Sequence, residues 1–188
     1  HIKDPENAKK VLDAARVGAP NIPISIKTRI GYNKVEIDTW IRFLLEQKLP
    51  ALTVHLRTRK EMSDVPAHWE LMNKIVELRN EISPETLIIG NGDVLSIEHG
   101  KKLIEETGCD GVMVGRGIFG NPWFFSGKVL SDISPKDRLT VMLEHAKAFD
   151  KKLGDVKNFA IMKKHFKAYV NGFDGAKELR VRLMETEN

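Results

Sequence analysis

Apolar positions along the first two-thirds of the chain alternate between two rhythms. Asp4-Pro5-Glu6 precedes Ala8, Val11, Leu12 and Ala15, the spacing of one helical face, with Asp4 placed to cap and Pro5 at the first helical position. Ile22-Pro23-Ile24-Ser25-Ile26-Lys27 then reads as a buried strand. Residues 35–48 return to helical spacing through Ile37, Trp40, Ile41, Leu44 and Leu45. Leu52-Thr53-Val54-His55 is a second strand and 68–81 a helix. Thr86-Leu87-Ile88-Ile89-Gly90 is a third strand and about 96–107 a helix. Gly111-Val112-Met113-Val114 is the fourth strand. Strand and helix in this alternation predict parallel strands joined by crossover helices. Each strand closes on polar or glycine residues, which fits the functional edge of either a (β/α)₈ barrel or a doubly wound sheet.

From about residue 134 the rhythm is helical throughout. Ser134-Pro135-Lys136-Asp137 is a capped start, followed by one stripe of Leu139, Met142, Leu143, Ala146, Phe149 and Leu153, with Gly154 as the expected stop. A second helix carries Phe159, Met162, Phe166 and Tyr169 and ends at Gly172. Asp174 is placed to cap a third helix through Leu179 and Leu183. The expected organisation is an α/β domain over 1–130 and a small all-helical domain over 134–188.

Composition adds little to this, but charge adds something. At 188 residues, 41% hydrophobic and 30% charged, the chain can bury a core and has no low-complexity run. No apolar stretch approaches the roughly 20 residues that span a bilayer, and the N-terminus lacks a signal-peptide core. With one cysteine, a cytoplasmic protein without membrane or metal is expected. Lys and Arg balance Asp and Glu at 18 each over 1–135, whereas 136–188 hold 12 against 8. A basic helical segment beside a neutral body suits a polyanion, and it also suits an ordinary solvated surface.

The candidate chemistry sits at the strand ends. Gly90-Asn91-Gly92-Asp93 would let the backbone approach a ligand and present N–H groups to an anion. Gly115-Arg116-Gly117 repeats this after the next strand and adds a guanidinium suited to phosphate. In a (β/α)₈ barrel the loops after the last two strands form the usual phosphate site. Lys27 and Arg29 alternate along a strand end, so one or both face the barrel mouth. Lys27 alone also reads as a solvated strand-end lysine, and His55 as a structural histidine.

Ile26-Lys27-Thr28-Arg29-Ile30-Gly31, Thr53-Val54-His55-Leu56-Arg57-Thr58-Arg59, Ile89-Gly90-Asn91-Gly92-Asp93 and Asp110-Gly111-Val112-Met113-Val114-Gly115-Arg116-Gly117 with Gly120-Asn121-Pro122-Trp123 together resemble the tRNA-dihydrouridine synthases. The resemblance runs from one end of the chain to the other. It implies the C-terminal half, strands five to eight, of a (β/α)₈ TIM barrel, followed by an RNA-binding helical domain. It implies FMN as cofactor, NADPH as reductant and tRNA as partner. Lys27 would contact the flavin ring, with Arg29, His55 and Arg57 near flavin or substrate. Asn91, Gly92, Asp93, Gly115 and Arg116 would bind the ribityl chain and phosphate. Lys163, Lys164, His165 and Arg180 stand where the family has its basic RNA motif. In the reaction so implied, reduced flavin gives hydride to C6 of a uracil flipped out of tRNA, and a cysteine protonates C5.

Three departures stand out. Leu56 replaces a usual glycine and is expected to add a side chain beside the flavin. Residues 60–66 replace the usual Gln, Tyr and Gly pattern. The family cysteine is expected before residue 1, which leaves no catalytic residue here and an inactive chain with open sheet edges. Cys109, just before the fourth strand, is expected to pack. Two other readings remain: a different FMN barrel acting on a small molecule, and a non-catalytic RNA-binding fragment.

Overall fold

A computed structural model describes residues 1–186. The chain divides into two compact units, His1–Gly115 and Arg116–Asn188. The expected break between residues 130 and 134 therefore falls inside the second unit.

The first unit contains helices α1 (Pro5–Gly18), α2 (Arg42–Glu46), α3 (Met72–Ile82) and α4 (Ile97–Thr107), and strands β1 (Ile26–Arg29), β2 (Ala51–His55), β3 (Leu87–Asn91) and β4 (Gly111–Met113). The strands form one parallel sheet in the order β1-β2-β3-β4. This order has no reversal, so the sheet has none of the switch points of a doubly wound fold. Helix α2 packs on α3 and α3 on α4, in a layer that covers one sheet face. Leu52, Val54 and Ile88 point into that layer and meet Leu44, Leu45, Met72 and Ile75, all almost fully buried. Because strand side chains alternate, the other face carries Lys27, Arg29, Thr53, His55, Ile89 and Asn91.

Several boundaries differ from the expected ones. β1 begins at Ile26, four residues later than read, because Ile22 is 65% exposed and Pro23 has no N–H to donate. The helix expected over 35–48 is a π-helical turn, Ile37–Ile41, running into α2. It buries Trp40, whose indole N–H donates to Thr28 Oγ1 at 2.8 Å. Asp4 caps α1 as expected, its carboxylate accepting from Asn7 N–H at 3.0 Å.

The second unit holds α5 (Pro135–Leu153), α6 (Met162–Tyr169) and α7 (Ala176–Glu185), preceded by short 3₁₀ turns. Its core is Met142, Phe149, Met162, Phe166, Tyr169 and Val170. Ser134 caps α5, but the stripe is narrower than read, since Leu143 is 56% and Leu153 41% exposed. Gly154 keeps right-handed dihedrals (φ −55°), so it does not end α5 through the left-handed conformation. Gly175 rather than Asp174 stands at the N-cap of α7. Two arginines close the C-terminal end of α6. Arg138, 6% exposed, donates to Tyr169 O at 2.7 Å, and Arg180 donates to Val170 O at 2.7 Å. Cations at a helix C-terminus face the negative end of its dipole. No helix among the described residues is long and apolar enough to cross a membrane.

Candidate functional site

Parallel register brings the predicted residues into line. Arg29 pairs with His55, and His55 with Asn91, so three strand ends present these side chains in one row on the face opposite the first unit's helices. Lys27 lies one pleat behind Arg29 on the same face. Four side chains that can carry positive charge, Lys27, Arg29, His55 and Arg57, thus share the C-terminal edge of the sheet.

Their fields act on one another. Partial burial, and then Arg29, hold the Lys27 ammonium below its ordinary pKa. Burial, followed by Arg29, Lys27 and Arg57, pushes His55 down to about 4, with Asp93 pulling weakly the other way. His55 is therefore neutral near pH 7. Because Arg57 Nη1 lies 3.2 Å from His55 Nε2 and can only donate, Nε2 accepts and the ring proton sits on Nδ1. An imidazole titration followed by NMR is expected to show a midpoint near 4 for His55. The unfolded chain takes up this proton more readily, so the stability involved is complete above the ordinary histidine value of 6.5 and is lost as pH falls toward 4. For a half-exposed ring the loss is about 1–2 kcal/mol. A His55 midpoint near 6.5 would show that the cationic row is not assembled.

The two arginines act differently from solvent-facing strand-end residues. Arg29 Nη1 donates to Thr58 O at 2.7 Å and to Met62 O at 3.0 Å, holding the loop after β2. Arg57, expected near substrate, is 2% exposed. Its Nε donates to Val65 O at 2.6 Å, and its Nη2 pairs with Asp93 Oδ2, which also accepts from Ala67 N–H at 2.9 Å. The same loop is braced by Glu61, which accepts from Thr58 N–H at 2.6 Å and lies 3.0 Å from His68 Nε2. This bracing is what the unusual 60–66 segment contributes. Leu56 adds no side chain to the polar face, because it is fully buried in the first core.

The glycine motif also behaves differently from its sequence reading. A Cβ at Gly90 would lie 2.5 Å from the Trp69 ring, so Gly90 makes room for Trp69 rather than for a ligand. The Trp69 indole N–H donates to Gly92 O at 2.8 Å, supporting the turn from beneath. Gly92 has φ +131° and Asp93 φ +51°, a conformation in which Asp is tolerated. Asn91, 8% exposed, donates to Met113 O at 2.8 Å and ties β3 to β4. Gly115 has open space around its α-carbon, and Arg116 opens a short 3₁₀ turn in the second unit. Cys109 is 2% exposed within the first core.

In the second unit Lys163 Nζ donates to Met184 O at 2.7 Å and Arg180 to Val170 O, so both brace the helices. Lys164 is exposed, and His165 is half-buried. Sequence reading missed the role of Trp69, which packs where a Gly90 side chain would stand and supports the Gly92 turn. It also missed the partnership of His165 with Phe119 and His145, signalled by His165 and Tyr169 standing four apart on one helix face.

Comparison with known proteins is consistent along the whole chain. A family model described as dihydrouridine synthase (Dus) matches residues 1–188. The chain is 42% identical to proteins named "Probable tRNA-dihydrouridine synthase" from Staphylococcus aureus and Staphylococcus epidermidis, covering 100% of this chain and 57% of each relative. It is 41% identical to a "Probable tRNA-dihydrouridine synthase 2" from Bacillus subtilis, covering 98% of this chain and 56% of the relative. The chain thus spans a little over half the length of the curated relatives it matches.

Proposed function

The chain belongs to the dihydrouridine synthase family, and on that premise we propose that it supplies strands five to eight of an FMN-binding (β/α)₈ barrel, with a helical tRNA-binding segment, to an NADPH-dependent tRNA-dihydrouridine synthase. The observation that carries this reading is the cationic row on the sheet face opposite the first unit's helices. Strand order without reversal, helices on one face and charged groups at the C-terminal strand ends are what a barrel wall requires.

The residues present fit the cofactor. Lys27 supplies positive charge where the pyrimidine edge of an isoalloxazine would lie, favouring electron density there. Gly115 leaves its backbone open to a phosphate. Asn91 and Gly92 shape the turn that would hold the ribityl chain. Asp93 has a different part: its carboxylate, engaged by Arg57 and Ala67, fixes that turn and would repel a phosphate. Bound FMN supplies the hydride chemistry. His55, neutral and protonated on Nδ1, can donate one hydrogen bond to a carbonyl oxygen without adding charge. Arg29 and Arg57 order the loop over the site. Cys109, buried beneath the helices, is not the proton donor. In the helical segment Lys164 and Lys167, both exposed, face phosphates, with His165 beside them, while Lys163 and Arg180 hold the helices together.

A chimera tests this reading. The part of the S. aureus relative that this chain does not cover would be joined ahead of residue 1. The product is expected to purify yellow and to form dihydrouridine in unmodified tRNA with NADPH. Lys27→Ala should lower kcat by about 10²-fold, the cost of one group aimed at developing charge. A chimera that folds cooperatively yet stays colourless would sink the assignment.

A further inference from the structure

The second unit has a cavity of its own, of about 490 Å³, which the flavin-site residues do not touch. That volume lies in the range of small-ligand pockets. Phe119, Val141, Glu144, His145, His165 and Tyr169 are among the side chains lining it. The rings are stepped from rim to floor. Phe119, 47% exposed, lies 5.4 Å from the His165 ring by centroid, and His165 lies 4.9 Å from His145. His145 in turn lies 6.0 Å from Tyr169, whose hydroxyl is 3.4 Å from His145 Nδ1. Tyr169 is 4% exposed and forms the floor.

This lining has the features of a nucleobase site. An exposed phenyl face offers a stacking platform. Burial, followed by His145 and Lys164, lowers the pKa of His165, so its neutral ring presents one donor and one acceptor nitrogen. Glu144, exposed at the rim, accepts from N–H groups. A purely apolar side chain would leave these polar groups unmatched, and a free anion would meet the Glu144 carboxylate. Lys164, exposed beside His165 on the same helix and close enough to lower its pKa, supplies charge for a phosphate next to the base. Such a combination of π-face, mixed hydrogen-bonding edge and neighbouring cation matches one residue of a polynucleotide.

We propose that this cavity takes one unstacked base of an RNA strand, stacked on Phe119 with its edge toward His145, His165 and Glu144, while Lys164 holds an adjoining phosphate. The proposal rests on the RNA-facing role assigned above to the helical segment. It adds a contact to a base, where the basic residues alone would contact only backbone.

The test is equilibrium binding of the chain to a short single-stranded oligoribonucleotide and to an abasic ribose-phosphate strand of equal length, across a range of salt. The strand with bases is expected to bind about 5- to 100-fold more tightly, the range for one stacked base. Phe119→Leu should remove most of that preference and leave abasic binding unchanged. Lys164→Ala should weaken both strands alike and lower the salt slope by about 1. Glu144→Gln, an exposed exchange, should change the order of preference among the four homopolymers and so carries the same reading if Phe119→Leu lowers the melting temperature. Equal affinity for both strands, with salt-dependent binding retained, overturns the base site while leaving the RNA-facing role intact. Absence of binding to either strand overturns both.

Discussion

Gly120→Ala is expected to unfold the helical unit, whereas Gly127→Ala, at nearly the same backbone conformation, is expected to cost only about 1–2 kcal/mol. Gly120 has φ +70° and Gly127 φ +75°, so a side chain is strained to the same degree at both. The difference lies in what surrounds them. A Cβ at Gly120 would sit 2.2 Å from Ala168 O and 2.4 Å from its carbonyl carbon, whereas nothing lies within 4 Å at Gly127. Ala168 belongs to α6, whose backbone carries core residues Phe166 and Tyr169, so the carbonyl cannot retreat without moving that core. Overpacking against rigid backbone adds several kcal/mol to the conformational cost, which is comparable to the whole stability of a small domain. Hydrogen exchange over 135–185 should show lost protection for Gly120→Ala, with protection over 26–113 as the internal control. If the two variants melt within about 0.5 kcal/mol of each other, α6 and the Gly120 turn do not meet as described.

The motif Gly120-Asn121-Pro122-Trp123, which carried much of the family resemblance, thus has a structural reason at its first position. The sequence pattern showed the alternation of strands and helices because that alternation is a matter of local period. Caps at Asp4 and Ser134 were equally local, set by hydrogen bonds spanning three residues. What the sequence did not show depends on partners far along the chain. Gly90 reads as a ligand-facing glycine until Trp69, 21 residues earlier, is found filling its space. Gly154 reads as a helix stop and stands at the C-cap of α5, but it does so without the left-handed conformation that glycine usually supplies there. Lys163 and Arg180 read as RNA contacts because charge is visible in a sequence, whereas the carbonyls they meet are not. The candidate row Lys27, Arg29, His55 and Asn91 was legible as individual strand ends. Its alignment required the register, which local pattern leaves open.

Arg57 is the clearest case of a residue whose type was legible and whose role was not, and its removal is the second large effect expected. Its guanidinium joins three segments: His55 on β2, Val65 in the following loop and Asp93 after β3. Arg57→Met keeps much of the side-chain volume but removes every donor. Asp93 then retains Ala67 N–H without the facing cation, and Val65 O loses a bond formed in a buried setting. Breaking one partner of a buried pair costs about 3–5 kcal/mol, and the partial exposure of Asp93 places this case near 2–4 kcal/mol. The loss should be local first, with faster hydrogen exchange over 58–67 and less change in α3. Arg57→Lys should recover little, since an ammonium cannot reproduce three divergent N–H contacts. A double-mutant cycle of Arg57→Met with Asp93→Asn should give a coupling energy clearly different from zero, because the two side chains pair directly, and Asn still tolerates the left-handed backbone at that position. A second readout separates this electrostatic role from packing alone. Burial does most to hold His55 at about 4, and Arg57 is one of three cations that add to it, so the His55 midpoint should rise in Arg57→Met. A variant that loses stability while its His55 midpoint stays near 4 would mean that Arg57 only fills space, and that the cationic row does not act as one field.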